Sequence, residues 1–186
     1  SWVNSANQPG CDFPVQNLPF GVFRRAGSAE DFRGGVAIGD QILDVSAAFD
    51  AALLTGKAAK ACKEKTLNNL MGLGRVEWSD LRAQISALLR NGGPEDKGYR
   101  CLVSIAESEM TVPANIGDFT DFYSSINHAT NVGRMFRPEN PLLPNYKHVP
   151  IAYHGRSSSI RVSGTPTRRP MGQLKAPDAD APVFDA

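Results

Sequence analysis

Residues 34–45, GGVAIGDQILDV, constrain the fold more than any other stretch. Two short β-rich runs, Val36 to Ile38 and Gln41 to Val45, flank Gly39-Asp40. That spacing predicts a tight antiparallel hairpin, because Gly accepts a positive φ without a steric penalty. Phe20-Gly21-Val22-Phe23 reads as a further short strand after an opening rich in Pro and Gly. Ser46 is the expected N-cap of an Ala-rich helical segment running to Lys63, interrupted at Gly56. Thr66 to Met71 predicts another helical turn or two. The strongest helix is expected at Ser79 to Asn91, where Leu81, Ile85, Leu88 and Leu89 recur on one face and Gly92 supplies a left-handed stop.

Strand signals up to Val45 followed by helix signals to Asn91, with no internal repeat, are read as an α+β chain with substantial β-structure. Lys plus Arg number 20 against 19 Asp plus Glu, for a net charge of +1. No single-sign field is available to attract nucleic acid or an anionic membrane, so neither is expected as a partner. No apolar run reaches the roughly 20 residues that span a bilayer. Ser1 to Gly10 is polar and lacks a secretory core, which favours the cytoplasm, although a first residue other than Met leaves room for an earlier start. Cys11, Cys62 and Cys101 are odd in number and widely spaced. They predict isolated thiols, neither a disulfide framework nor a paired zinc motif.

The character of the chain changes near residues 110–115. Beyond Val112, Pro, Gly, Ser and Asn become frequent and helical periodicity is lost, which places a domain boundary there. The site-like residues gather in IGDFTDFYSSINHATNVGRMFR, residues 116–137. On an extended backbone Asp121 and Tyr123 share a face. Phe119, in phase with both, can wall a cleft or simply pack. Ser124-Ser125 favours a turn that brings His128 back over the same cleft. A carboxylate is a hard ligand for Ca²⁺ or Mg²⁺. An imidazole, with a reference pKa of about 6.5, can take a proton from water. A phenol and a guanidinium can hold a carboxylated substrate. Metal-assisted hydrolysis fits this set, yet an isolated Asp and His at such spacing also serve structural roles.

The string DFTDFYSS..HATNVG.MFR closely resembles the opening segment of the catalytic domain of the fumarylacetoacetase family. The resemblance extends through FPVQNLPFGVF (13–23), GVAIGDQILDVS (35–46), TLNNLMGLG (66–74), LLPNYKHVPIAYHGRSSSI (142–160) and VSGTPTRRPMGQ (162–173). It implies an N-terminal SH3-like barrel with flanking helices over residues 1–112. Residues 113–186 would be the start of an incomplete mixed β-roll catalytic domain. It further implies hydrolysis of the carbon–carbon bond of 4-fumarylacetoacetate to fumarate and acetoacetate, the last step of tyrosine catabolism. Position by position, Asp121 matches a metal-ligating carboxylate and His128 the histidine that activates water. Tyr123, Arg137 and Tyr153 match groups that contact substrate. The implied cofactor is Ca²⁺ or Mg²⁺, and the implied partners are a small diketo acid and a second subunit in a homodimer.

Several residues are expected to stay outside the site. Asp118 is out of phase with Asp121 and reads as a turn or cap residue. Glu107-Ser108-Glu109 reads as solvated surface, and His148 and His154 show no partner carboxylate nearby. HGRSSS (154–159) is expected to form a polar loop at the cleft rim. The resemblance places the remaining metal carboxylates, a lysine and the glutamate that orients the histidine beyond Ala186. A divalent cation takes about six oxygen ligands, so this segment alone is expected to bind metal weakly and turn over slowly or not at all. Two other readings stay open: a non-catalytic module with a vestigial site, and a hydrolase of a related β-diketo acid such as an acylpyruvate.

Overall fold

The computed structural model describes residues 1–185. It is α+β, with antiparallel sheets throughout the described residues. Strands β1 (Phe20–Arg25), β2 (Arg33–Ile38) and β3 (Gln41–Asp44) form a meander, and β4 (Leu102–Ser104) and β5 (Ser108–Thr111) complete it. The sheet order is β4-β3-β2-β1-β5. The anticipated hairpin is present, with Val36 opposite Leu43, Ile38 opposite Gln41, and Gly39 at φ +57° in the turn. Helices α1 (Val45–Asp50), α2 (Gly56–Ala61), α3 (Asn68–Gly72), α4 (Arg75–Leu89) and α5 (Glu95–Gly98) lie between β3 and β4. Strands β4 and β5 are the two ends of the sheet, joined through a 3₁₀ turn at Ile105–Glu107. Among the described residues no ladder closes them into a barrel.

The period-2 alternation of the strands sorts their side chains onto two faces. Val22, Val36, Ile38 and Leu43 pack with Leu54, Leu81, Ile85 and Leu89 from the helices in the main core. Phe23, Ile42 and Val103 form a smaller cluster on the other face. Two of the thiols, Cys62 and Cys101, are buried and Cys11 is half-buried, all three free as expected.

Local details depart from expectation where packing overrides propensity. The N-cap of α1 is Asp44, not Ser46; its carboxylate accepts from the Ala47 amide at 2.9 Å. The Ala-rich segment is two helices, because the chain turns at Ala52 (φ +55°) to bury Leu54, which is 1% exposed. Helix α4 starts at Arg75 behind Gly74, earlier than Ser79, while its buried face is the four residues foreseen.

Beyond residue 112 the chain is less irregular than its composition suggests. It forms β6 (Asp118–Phe122), α6 (Ile126–Phe136), β7 (Ala152–Arg156), β8 (Gly172–Leu174) and β9 (Val183–Asp185). Helix α6 was hidden by its polar, Gly-bearing sequence. Ser125 caps it, its hydroxyl accepting from the His128 amide, and Ala129 and Gly133 form its buried side. Gly133 is required by proximity, since a Cβ there would strike the Pro141 carbonyl. Residues 154–156 lie in β7, so the anticipated polar loop at 154–159 is half strand.

Candidate active site

The ladder between β6 and β7 sets the site's geometry, pairing Asp118 with Arg156, Thr120 with His154 and Asp121 with Tyr153. Hydrogen bonds fix its two ends. The Ser157 hydroxyl donates toward the carbonyls of Gly117 (2.8 Å) and Ile116 (3.0 Å), and the Tyr123 amide donates to the Ile151 carbonyl at 2.8 Å. Strand alternation puts Phe119 and Asp121 of β6, and Tyr123 just past its end, on the same side as Tyr153 and Gly155 of β7. On that side the Tyr153 hydroxyl donates to Asp121 Oδ2 at 2.8 Å. Tyr123 is held from behind by the Tyr146 hydroxyl, which donates to its carbonyl at 2.6 Å.

Helix α6 supplies the imidazole. Because Ser125 caps the helix, His128 falls in its first turn, where its ring stacks on Tyr123 at 5.4 Å between centroids and 10° between planes. Four of the five candidates therefore form a continuous series: Tyr153 bonds Asp121, Tyr123 follows Asp121 on the same side, and His128 stacks on Tyr123. Arg137 stands apart at the far end of α6, with its guanidinium 3.5 Å from the Pro141 carbonyl. It shares with Tyr123 a cavity of about 170 Å³ between α6 and the ribbon, lined also by Val132, Phe136 and Ile151.

Asp121, His128, Arg137 and Tyr153 are exposed and Tyr123 is half-buried. The Tyr153 phenol is pushed above its ordinary range, first by the hydrogen bond to Asp121 and then by that carboxylate's charge, with smaller contributions from burial and from Tyr123. Tyr153 therefore stays protonated and a donor at neutral pH.

The opposite side of the ribbon corrects two expectations. Asp118 is the first residue of β6, neither turn nor cap, and its Oδ2 lies 3.2 Å from His154 Nε2. His154 thus has the carboxylate partner that sequence distance concealed, since the ladder brings residues 36 positions apart together. Glu109 lies in β5 and pairs with Arg24 at 2.8 Å, still at the surface. Sequence reasoning also missed Tyr146 and the seat of Phe119 on Gly155, both of which depend on tertiary packing. It missed the Ser125 cap too, for which a Ser ahead of an Ile-x-x-Ala spacing is the available signal.

Among the described residues no group of three or more His, Cys, Asp or Glu converges to hold a metal ion. Asp121 offers one carboxylate, already engaged with Tyr153. Ca²⁺ takes six to eight oxygens and Mg²⁺ about six, so the described residues do not by themselves fit either cation.

Residues 16–113 match the family model described as Fumarylacetoacetase N-terminal. Fumarylacetoacetase of Mus musculus is 51% identical over 185 residues, covering 94% of this chain and 43% of the mouse protein. The Caenorhabditis elegans fumarylacetoacetase is 52% identical over 184 residues, covering 93% of this chain and 43% of its own length. That of Arabidopsis thaliana is 41% identical over 181 residues, covering 92% and 43% respectively. The chain thus spans well under half the length of these relatives, and the match includes the segment 116–137 along with the sheet. With its family match running through the five-stranded sheet and its identity continuing through the β6–β7 ribbon, this chain belongs to the fumarylacetoacetase family.

Proposed function

We propose that this chain contributes the N-terminal module and part of the active site of a hydrolase that cleaves 4-fumarylacetoacetate to fumarate and acetoacetate. The observation that carries the reading is the grouping of Asp121, Tyr123, His128 and Tyr153 on one ribbon and one helix turn. In this reading residues 1–112 are the N-terminal domain and residues 113–186 begin the catalytic one.

His128 takes a proton from water, and the oxygen adds to the carbonyl beside the bond to be cut. The carbon–carbon bond then breaks with its electron pair going to the acetoacetate fragment. That fragment leaves as an enolate and is reprotonated at carbon, so one water is consumed per fumarate and acetoacetate formed. Tyr123, stacked on the imidazole, limits its rotation. Tyr153 is a fixed phenolic donor, and Arg137 is the cation for a substrate carboxylate. Asp121 offers one ligand to Ca²⁺ or Mg²⁺. Since the remaining ligands are not among the described residues, no step is assigned to the metal. The resemblance also supports a homodimer. Among the described residues no helix is long and apolar enough to cross a membrane.

The openness of the site favours a second reading, a non-catalytic module: Tyr153 is 53% exposed, and groups in water cannot supply the preorganised field that catalysis draws on. Fusing this chain to the part of the mouse relative that lies outside the match separates the two. A folded fusion that depletes fumarylacetoacetate absorbance supports the hydrolase, and a folded fusion with no loss above background supports the module. Faster turnover of acylpyruvates than of fumarylacetoacetate would instead identify a sister activity. For the chain alone, calorimetric titration with Ca²⁺ or Mg²⁺ is expected to show no tight binding, and a micromolar site would contradict the ligand count.

A further inference from the structure

The reaction above gives no task to either aromatic residue of β6, Phe119 or Phe122, and of the two Phe119 lies on the same side of the ribbon as Asp121 and Tyr153. Its ring is seated on Gly155 of β7, directly across the ladder. A Cβ at Gly155 would lie 2.7 Å from Phe119 Cε2, far inside van der Waals contact, so only glycine leaves room for the ring. From that seat Phe119 meets the Tyr153 ring edge-on, with centroids 6.4 Å apart and planes at 74°. This is a favoured aromatic geometry. The restraint matters because Tyr153 is largely open to water, where a long side chain otherwise samples several rotamers.

We propose that Phe119, seated on Gly155, is a positioning residue that sets the Tyr153 ring so that its hydroxyl engages Asp121. This rests on the reading of Asp121 and Tyr153 as site residues. The ladder brings the two backbones opposite one another but leaves the phenol's direction open. The Phe119 edge removes that freedom on one flank. Ser157 fastens the same end of the ribbon through the Ile116 and Gly117 carbonyls, keeping Gly155 in register beneath the ring. The Asp118–His154 pair lies on the other side and does not take part.

The test uses the chain itself and needs no substrate. The side-chain carboxylate ¹³C resonance of Asp121, assigned by its loss in Asp121→Asn, is followed at pH 7. Four variants are compared: Tyr153→Phe, Phe119→Leu, Gly155→Ala, and the double variant Phe119→Leu with Tyr153→Phe. Tyr153→Phe removes the donor and shifts the resonance. Phe119→Leu and Gly155→Ala are each expected to move it in the same direction by at least half as much. The double variant is expected to move no further than Tyr153→Phe alone. The proposal is overturned if Tyr153→Phe leaves the resonance in place, or if Phe119→Leu and Gly155→Ala both do. It is equally overturned if the Phe119→Leu effect persists undiminished in the Tyr153→Phe background, as a purely structural role requires. An inactive fusion enzyme would count against the hydrolase reading without altering this result.

Discussion

Asp44 is 3% exposed and serves two partners at once: the Ala47 amide at 2.9 Å and Arg33 Nε at 2.6 Å. Arg33 in turn lies over the Phe23 ring at 4.9 Å. Burial alone would weaken the Arg33 charge, but its bonds to Asp44 and Glu30 outweigh that and raise its pKa. Removing Asp44 loses a helix cap, worth about 1 kcal/mol, and leaves a poorly solvated cation. Asp44→Ala is therefore expected to cost about 3 kcal/mol by urea denaturation, and Asp44→Asn less, because the amide oxygen still caps. Equal costs would show that the cap contributes nothing. Cys62 supplies a pH prediction. Burial pushes its thiol up to about 12, so the unfolded chain loses that proton first as pH rises. The thiol's contribution is complete below its ordinary range near pH 9 and falls between there and about pH 12, by about 1.4 kcal/mol per unit. Cys62→Ala should flatten that alkaline limb, and an unchanged slope would contradict the assignment. Neither residue's role was legible from sequence: Ser46 is as good a capping residue as Asp44, and nothing local distinguishes Cys62 from Cys11.

At the scale of elements, legibility followed the strength of the period. The β2–β3 hairpin was readable from Gly39-Asp40 between two apolar runs, and the core face of α4 from its i, i+4, i+7, i+8 spacing. Helix α6 was not, because its buried residues are the small Ala129 and Gly133 and most of its surface is exposed. Its start depends on one side chain, so Ser125→Ala is expected to cost about 1 kcal/mol. The loss should appear as faster amide exchange in the first turn of α6, including at His128, with the β1–β3 amides unchanged. Uniform exchange across both regions would show that α6 is held by tertiary packing instead. Strand β7 was missed for a related reason: Gly155 and the following serines read as a loop, yet the glycine is what lets β7 pass beneath Phe119.

For the molecule as a whole, the sheet and its helices are stabilised by a main core and a smaller cluster on the sheet's other face, whereas the ribbon and α6 hold the proposed site with few buried residues. The residues of the candidate site were chosen from their spacing and from the family resemblance. Their connections were not legible, since the Tyr153–Asp121 bond spans 32 positions and the Tyr146–Tyr123 bond spans 23. The central claim is that the turn of α6 beginning at Ser125 presents His128 as the base of a hydrolytic site built on β6 and β7. It is tested most directly by kcat/KM for fumarylacetoacetate in the fusion enzyme, with and without His128→Gln, which keeps the polar side chain but cannot take up the proton. A loss of about 10²–10⁴-fold, with the folded spectrum unchanged, is the predicted result. A fusion that cleaves its substrate equally well with glutamine at that position would contradict the account.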